Sequence, residues 1–157
     1  MSDTPDGRPI LVVEDSDDDY ETTVRGLTKA GMVGFNIRRC EDGQEALDYL
    51  FRRGAYTNPE TSPRPVVILL DLNLPGKDGR AVAQEVKADQ SLKDIPIVVL
   101  TTSDDERDIT QCYAIGANSY VRKPVDLDNF FRALQRIKDY WFEVVVLPRE
   151  RIEGAAN

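Results

Sequence analysis

Five side chains, from four separate stretches of the chain, are of the types that move a phosphoryl group: Glu14, Asp15, Asp71, Thr101 and Lys123. Each follows a short apolar run or lies close to the end of one. Three carboxylates brought together repel one another, and a hard divalent cation with oxygen ligands relieves that repulsion. Mg²⁺ suits a site with few carboxylates that also receives phosphate and water. A carboxylate can itself attack phosphorus and form an acyl phosphate. A lysine supplies a point charge to the phosphoryl oxygens, and a threonine hydroxyl supplies a donor to the same atoms. Taken singly, each residue also has an ordinary reading. The run from Glu14 to Asp19 suits a solvated helix N-terminus, Asp71 a turn, Thr101 a strand end and Lys123 the surface. The case for a site rests on all of them meeting at one edge.

The elements that would bring them there are legible. Ile10–Val13 reads as a strand buried on both faces. Ser16 with Asp19 three residues on resembles a capping box, and Tyr20, Val24 and Leu27 follow at helical spacing up to Gly31. A second strand is expected within residues 35–40. Asp42 with Glu45 opens a second helix carrying Leu47, Leu50 and Phe51, and a long Pro-, Asn-, Ser- and Gly-rich loop spans residues 54–65. Residues 66–70 form the clearest strand and end at Asp71. After the Pro75-Gly76 turn a helix is expected from about Asp78 to Asp89, with Val82 and Val86 inward. Residues 97–100 form a fourth strand ending at Thr101. Ser103 with Glu106 is expected to open the next helix, with Ile109, Cys112 and Tyr113 on one face. Residues 119–121 form a fifth strand before Lys123-Pro124. Asp126 caps a last helix bearing Phe130, Leu134, Ile137 and Trp141. Strands alternating with helices imply an α/β fold, a doubly wound five-stranded parallel sheet with helices on both faces. In such sheets the working crevice lies outside the carboxyl ends of the strands, where the five residues above would sit.

Composition narrows the function classes. The 157 residues suit one domain, and 41% hydrophobic with 31% charged residues suits a soluble globular chain. A formal net charge of -8 disfavours nucleic acid and anionic membrane as partners. No apolar stretch is long enough for a membrane span, and the polar start lacks a signal-peptide pattern, so a cytoplasmic location is expected. There is no histidine, which excludes Ser-His and Cys-His nucleophiles and histidine-ligated metals. Any phosphohistidine involved must lie on a partner. Cys40 and Cys112 match no zinc spacing and are expected to be buried.

Four ordered segments carry a family resemblance: Val12-Val13-Glu14-Asp15, residues 69–79 around Asp71, residues 98–102 ending in Thr101-Thr102, and residues 116–124 ending in Lys123-Pro124. Over about residues 8–140 the chain resembles the receiver domains of two-component response regulators. The resemblance implies a flavodoxin-like strand order 2-1-3-4-5, with Asp71 as phosphoacceptor. It also implies Mg²⁺, or Mn²⁺ in its place, bound by Asp15, Asp71 and the backbone carbonyl of Asn73, with Glu14 acting through water. Thr101 is then the switch hydroxyl, Tyr120 the switch aromatic and Lys123 the phosphate-contacting lysine. The Lys123–Pro124 bond is expected to be cis. Glu14 is one methylene longer than the commoner aspartate. The long loop before the third strand, residues 101–105 and the tail from Tyr140 to Pro148 are most similar to small regulators paired with phytochrome-type histidine kinases. A histidine kinase, including a bacteriophytochrome, is therefore the expected partner, together with a downstream protein.

The expected organisation is a flexible segment over residues 1–7, a receiver domain over 8–142 and an extension over 143–157. No output domain is recognised, so the signal would leave by protein contact. The extension begins with an apolar, strand-like run that a five-stranded sheet does not need. It is expected either to pair in a homodimer through Trp141, Phe142, Val144, Val145, Val146 and Leu147, or to fold back on its own domain. Its end from Arg149 to Asn157 is expected to fray. Two other functions compete. An aspartate-nucleophile phosphatase needs a second acid two residues after the nucleophile, where this chain has Asn73. A scaffold that binds partners without being phosphorylated is the other.

Overall fold

The computed structural model describes residues 7–32 and 34–149. Five parallel strands, β1 (Ile10–Val13), β2 (Ile37–Cys40), β3 (Val67–Leu70), β4 (Ile97–Thr101) and β5 (Ser119–Arg122), lie in the order 2-1-3-4-5. Five helices connect and cover them: α1 (Asp17–Lys29), α2 (Gly43–Phe51), α3 (Gly79–Ala88), α4 (Glu106–Ile115) and α5 (Leu127–Asp139). The doubly wound topology expected from the alternating elements is present.

The two-residue period of the strands divides the apolar side chains between two cores. Leu11, Val13, Ile68, Leu70, Ile97 and Val99 meet α2, α3 and the Cys112 position of α4. Ile10, Val12, Val67, Leu69, Val98 and Leu100 meet Leu27 of α1 and Phe130, Leu134 and Ile137 of α5. The three central strands are buried throughout, which explains their continuous apolar runs. Gly26 allows α1 and α5 to approach closely, since a Cβ there would lie 2.3 Å from Leu134 Cδ1.

Caps set the helix starts. Ser16, Asp42, Asp78 and Asp126 accept from backbone amides in the first turns of α1, α2, α3 and α5. The expected Ser103 cap of α4 is not observed. Asp105 caps that helix by accepting from Arg107 N, because the Ser103 hydroxyl is used elsewhere. The expected inward face of α4 is also narrower: Cys112 is its one buried residue, while Tyr113 is half exposed. Cys40 and Cys112 are both buried free thiols.

The tail after α5 does not add a strand. Tyr140–Val144 forms one π turn, closed by Val145 N donating to Tyr140 O at 2.9 Å. Trp141 is buried in the α1/α5 core, Phe142 meets Phe35 edge-to-face, and Val145 and Leu147 rest on the same core. Arg8 Nη2 donates to Pro148 O at 2.8 Å, tying the two ends of the domain together. Val144 and Val146 remain exposed. The expected flexible N-terminus and frayed C-terminus fall mostly in residues 1–6 and 150–157, outside the described residues.

Candidate active site

The carboxyl ends of β1, β3, β4 and β5 form one crevice. β1 delivers Glu14 and Asp15, β3 delivers Asp71, β4 ends on Thr101, and Lys123 follows β5. One carboxylate oxygen from each of Glu14, Asp15 and Asp71 lies within 4.8 Å of the other two. Burial grades across the trio: Glu14 is buried, Asp71 intermediate and Asp15 exposed. The site therefore opens to solvent on the Asp15 side.

Local chain geometry holds Asp71 in place. Asp71 N donates to Val13 O at 3.1 Å, joining the ends of β1 and β3. Asn73 N donates to Asp71 Oδ1 at 3.3 Å, so one carboxylate oxygen is held by its own loop. The loop then turns tightly into α3, with Gly79 N donating to Leu72 O. A Cβ on Gly79 would fall 2.2 Å from the Asp71 carbonyl oxygen, so only glycine fits there.

Lys123 is buried and reaches three carboxylates at once. Its Nζ lies 2.5 Å from Glu14 Oε1, 3.2 Å from Asp19 Oδ2 and 3.4 Å from Asp71 Oδ2. Burial opposes its charge, yet the hydrogen bond to Glu14 and the charges of Asp71, Glu14 and Asp19 outweigh it and hold the pKa above the ordinary lysine value. For Glu14 burial dominates and pushes the carboxyl up to about 7, against the pull of Lys123. Ser16 N also donates to Glu14 Oε2, at 3.2 Å, so both oxygens of this carboxylate are engaged.

The switch residues expected from the sequence are adjacent to the same crevice. Thr101 is fully buried, and its Oγ1 accepts from Ser103 N at 3.4 Å. The half-buried Tyr120 packs against the α2/α3/α4 core and donates its hydroxyl to Ser103 O at 2.8 Å. No peptide bond among the described residues is cis, so the bond between Lys123 and Pro124 is trans. The two isomers before proline differ by only about 0.5–1 kcal/mol, which the local sequence does not decide.

Sequence reasoning missed two residues at this site. Asp19, read as the second half of a capping box, directs its carboxylate to Lys123 while Ser16 caps Asp19 N. It is one of three successive acids, Asp17, Asp18 and Asp19, in the first turn of α1, and nothing in their spacing singled it out. Arg39 of β2 donates from Nε to Glu14 O at 3.1 Å and from Nη1 to Asp17 Oδ1 at 2.7 Å, and its guanidinium lies over the Tyr20 ring. It braces the loop that carries Glu14 and Asp15. No pattern in the strand announces that role.

Comparison with known proteins agrees with this geometry. The family model for the response regulator receiver domain matches residues 10–135. The chain belongs to the response regulator receiver family. This places it among two-component signalling proteins. Within the family, it is 43% identical over 139 residues to response regulator Rcp1 of a Synechocystis strain, covering 88% of this chain and 92% of that protein. Among solved structures, the phosphorylated cyanobacterial phytochrome response regulator RcpA superposes with a TM-score of 0.84 at 39% identity, over 90% of this chain and 99% of the other. The Mn²⁺-bound form of Rcp1 gives 0.83 at 42% identity, with the same coverage. No helix among the described residues of this receiver is long and apolar enough to cross a membrane.

Proposed function

We propose that this receiver takes a phosphoryl group from a partner histidine kinase onto Asp71, in a Mg²⁺-dependent reaction, and thereby changes a protein-interaction surface. The observation that carries this reading is the convergence of Glu14, Asp15 and Asp71 beside the Lys123 ammonium. Three carboxylates with one open side match the donor set of a hard cation. One oxygen of each carboxylate lies within 4.8 Å of the other two, so a single cation could be shared among them. Asp15, Asp71 and the Asn73 carbonyl would hold the ion, with Glu14 acting through water; Mn²⁺ would serve as well, as the Mn²⁺-bound relative supports. When bound, the metal neutralises charge on the phosphoryl oxygens and on the attacking carboxylate.

The chain's own residues do the rest. An Asp71 oxygen attacks phosphorus in line, an O–P bond forms, and the P–N bond of the donor phosphohistidine breaks with its electron pair going to the imidazole. Asp71 loses its carboxylate charge, which frees Lys123 to contact a phosphoryl oxygen instead. The Thr101 hydroxyl donates to another. As Thr101 turns inward, Tyr120 follows, and the face made by α4, β5 and α5 changes shape. This is a shift between two existing states, biased by the new charge and acceptors.

The likeness to Rcp1 and RcpA supports a phytochrome-type kinase as the partner. The cytoplasm would be the place of the exchange, with a downstream protein as receiver of the signal. A homodimer through the tail belongs to the same proposal. Val144 and Val146 are exposed and free to meet a second copy, while Trp141, Phe142, Val145 and Leu147 would support that surface from their own core.

The test is intact mass after incubation with Mg²⁺ and acetyl phosphate, for the native chain and Asp71→Asn. One added phosphoryl group, absent in the variant and lost with EDTA, supports the proposal. No added mass with Mg²⁺ binding demonstrated separately, and none from a cognate kinase, would favour an unphosphorylated scaffold.

A further inference from the structure

α4 is the least anchored helix of the domain. Cys112 is its one buried residue, whereas α2 buries five and α3 four. Apolar burial, which positions the other helices, does little to position this one. Its N-terminal half is instead held by polar contacts that meet at Asp108. Arg80 of α3 donates from Nε to Asp108 Oδ1 at 3.0 Å, with Nη2 2.5 Å from the same oxygen. The Ser103 hydroxyl donates to Asp108 Oδ2 at 2.7 Å. Both Arg80 and Asp108 side chains are about four-fifths buried, at 21% and 20% exposure.

The two arms of this contact lead to different parts of the crevice. Arg80 sits in the first turn of α3, whose start is tied to the Asp71 loop by Gly79 N donating to Leu72 O. Ser103 is joined to both switch residues. Its amide donates to the Thr101 hydroxyl oxygen, and its carbonyl accepts from the Tyr120 hydroxyl. Because Thr101 Oγ1 accepts from this amide, its own proton is directed elsewhere.

We propose that Arg80, Asp108 and Ser103 form a coupling clasp, through which a change at Asp71 and Thr101 is transmitted to the position of α4. Asp108 receives one input from the acceptor loop through Arg80 and another from the switch residues through Ser103. The Ser103 hydroxyl and the Arg80 guanidinium also hold the Asp108 carboxyl below the ordinary aspartate range, so both arms act on a charged group. The three are positioning residues, with no contact to the phosphoryl group. This inference rests on the phosphorylation reading for its second measurement only.

The experiment is amide hydrogen exchange over residues 102–115 in the full chain, with and without Mg²⁺ and acetyl phosphate, alongside intact mass. In the unphosphorylated state Arg80→Met and Asp108→Ala are expected to exchange about tenfold faster across the start of α4. Phosphorylation should proceed in both, yet the exchange change that it causes in this segment should fall to less than about half of the native one. Asp108→Asn, which keeps an acceptor for Ser103 but not the charge for Arg80, gives a milder version if the alanine variant folds poorly. Arg80→Met combined with Ser103→Ala should not exceed Asp108→Ala, since both arms end on one carboxylate. Native exchange in Asp108→Ala, a full phosphorylation-dependent change in that variant, or a double variant that exceeds Asp108→Ala would each overturn the clasp. Absence of added mass in the native chain, from acetyl phosphate and from a cognate kinase alike, would remove the phosphorylation reading and the coupling half of this proposal, while the basal exchange would still decide the anchoring half.

Discussion

Glu14 and Lys123 carry opposite burial costs in the same few ångströms, and that pairing governs how the site responds to pH. The Glu14 carboxyl titrates at about 7 in the folded chain against an ordinary 4.5. The folded state thus holds more protons than the unfolded one between those values, and this group's contribution to stability falls as pH rises through 7. Mg²⁺ favours the carboxylate form, so its affinity should drop as pH falls from 8 to 6, approaching tenfold per unit below 7. Calorimetry in buffers of different ionisation enthalpy should show about half a proton released per ion bound at pH 7, rising toward one as the pH falls. Removing Lys123 leaves Glu14 buried without its cation. Lys123→Met should lose about 3–5 kcal/mol at pH 8 in the absence of metal, with part of that recovered at pH 6 as Glu14 protonates. Urea unfolding at the two pH values checks it, and equal losses at both would show that Glu14 is not the group involved.

At the scale of elements, the site depends on how closely two loops and two helices can approach. Gly79 places the start of α3 against the Asp71 carbonyl, where no Cβ fits. Gly79→Ala should therefore move the acceptor loop and reduce phosphorylation by at least about tenfold, with a stability loss of about 1–3 kcal/mol. Intact-mass kinetics and denaturant unfolding measure the two effects separately. On the opposite face Leu134 is fully buried against Gly26. Leu134→Ala should cost about 2–5 kcal/mol through lost burial and a residual cavity. Its phosphorylation rate should stay near native while the chain is folded, because α1 and α5 meet on the face away from α3. A proportional loss of rate would mean that this face also positions the crevice.

The whole domain should be stabilised by Mg²⁺ if the ion binds at the proposed site. With free Mg²⁺ at a hundredfold excess over Kd, linkage raises the unfolding free energy by about 2.7 kcal/mol, and Asp15→Asn should remove most of that gain in a thermal scan. For the tail, deleting residues after Phe142 should convert a dimer to a monomer in sedimentation if Val144 and Val146 meet a second copy. An unchanged oligomer would take the tail out of the interface. The monomer already uses part of this segment, since Val145 and Leu147 rest on the α1/α5 core. The partner surface is thereby narrowed to the residues that remain exposed.

The strands, the helix starts at Ser16, Asp42, Asp78 and Asp126, and the placement of Asp15, Asp71, Thr101 and Lys123 at strand ends were all legible in the residues. Period-two burial, capping side chains and continuous apolar runs are local properties, and the crevice rule of doubly wound sheets needs only their order. What folding alone decided were choices between partners that local chemistry leaves equal. Ser103 could have capped α4, but its hydroxyl bonds Asp108, and Asp105 caps instead. Asp19 could have closed a capping box, but a buried ammonium from a residue more than a hundred positions away offers a stronger partner. The β-branched tail could have paired as a strand, but an aromatic seat at Phe35 and the α1/α5 core drew Trp141 and Phe142 into the domain. For Asp19 and for the tail the winning contact spans more than a hundred residues, and its energy exists only once the sheet has brought the two ends together. Ser103 reaches a nearer residue, but the Asp108 carboxylate that draws it is itself held by Arg80 of α3.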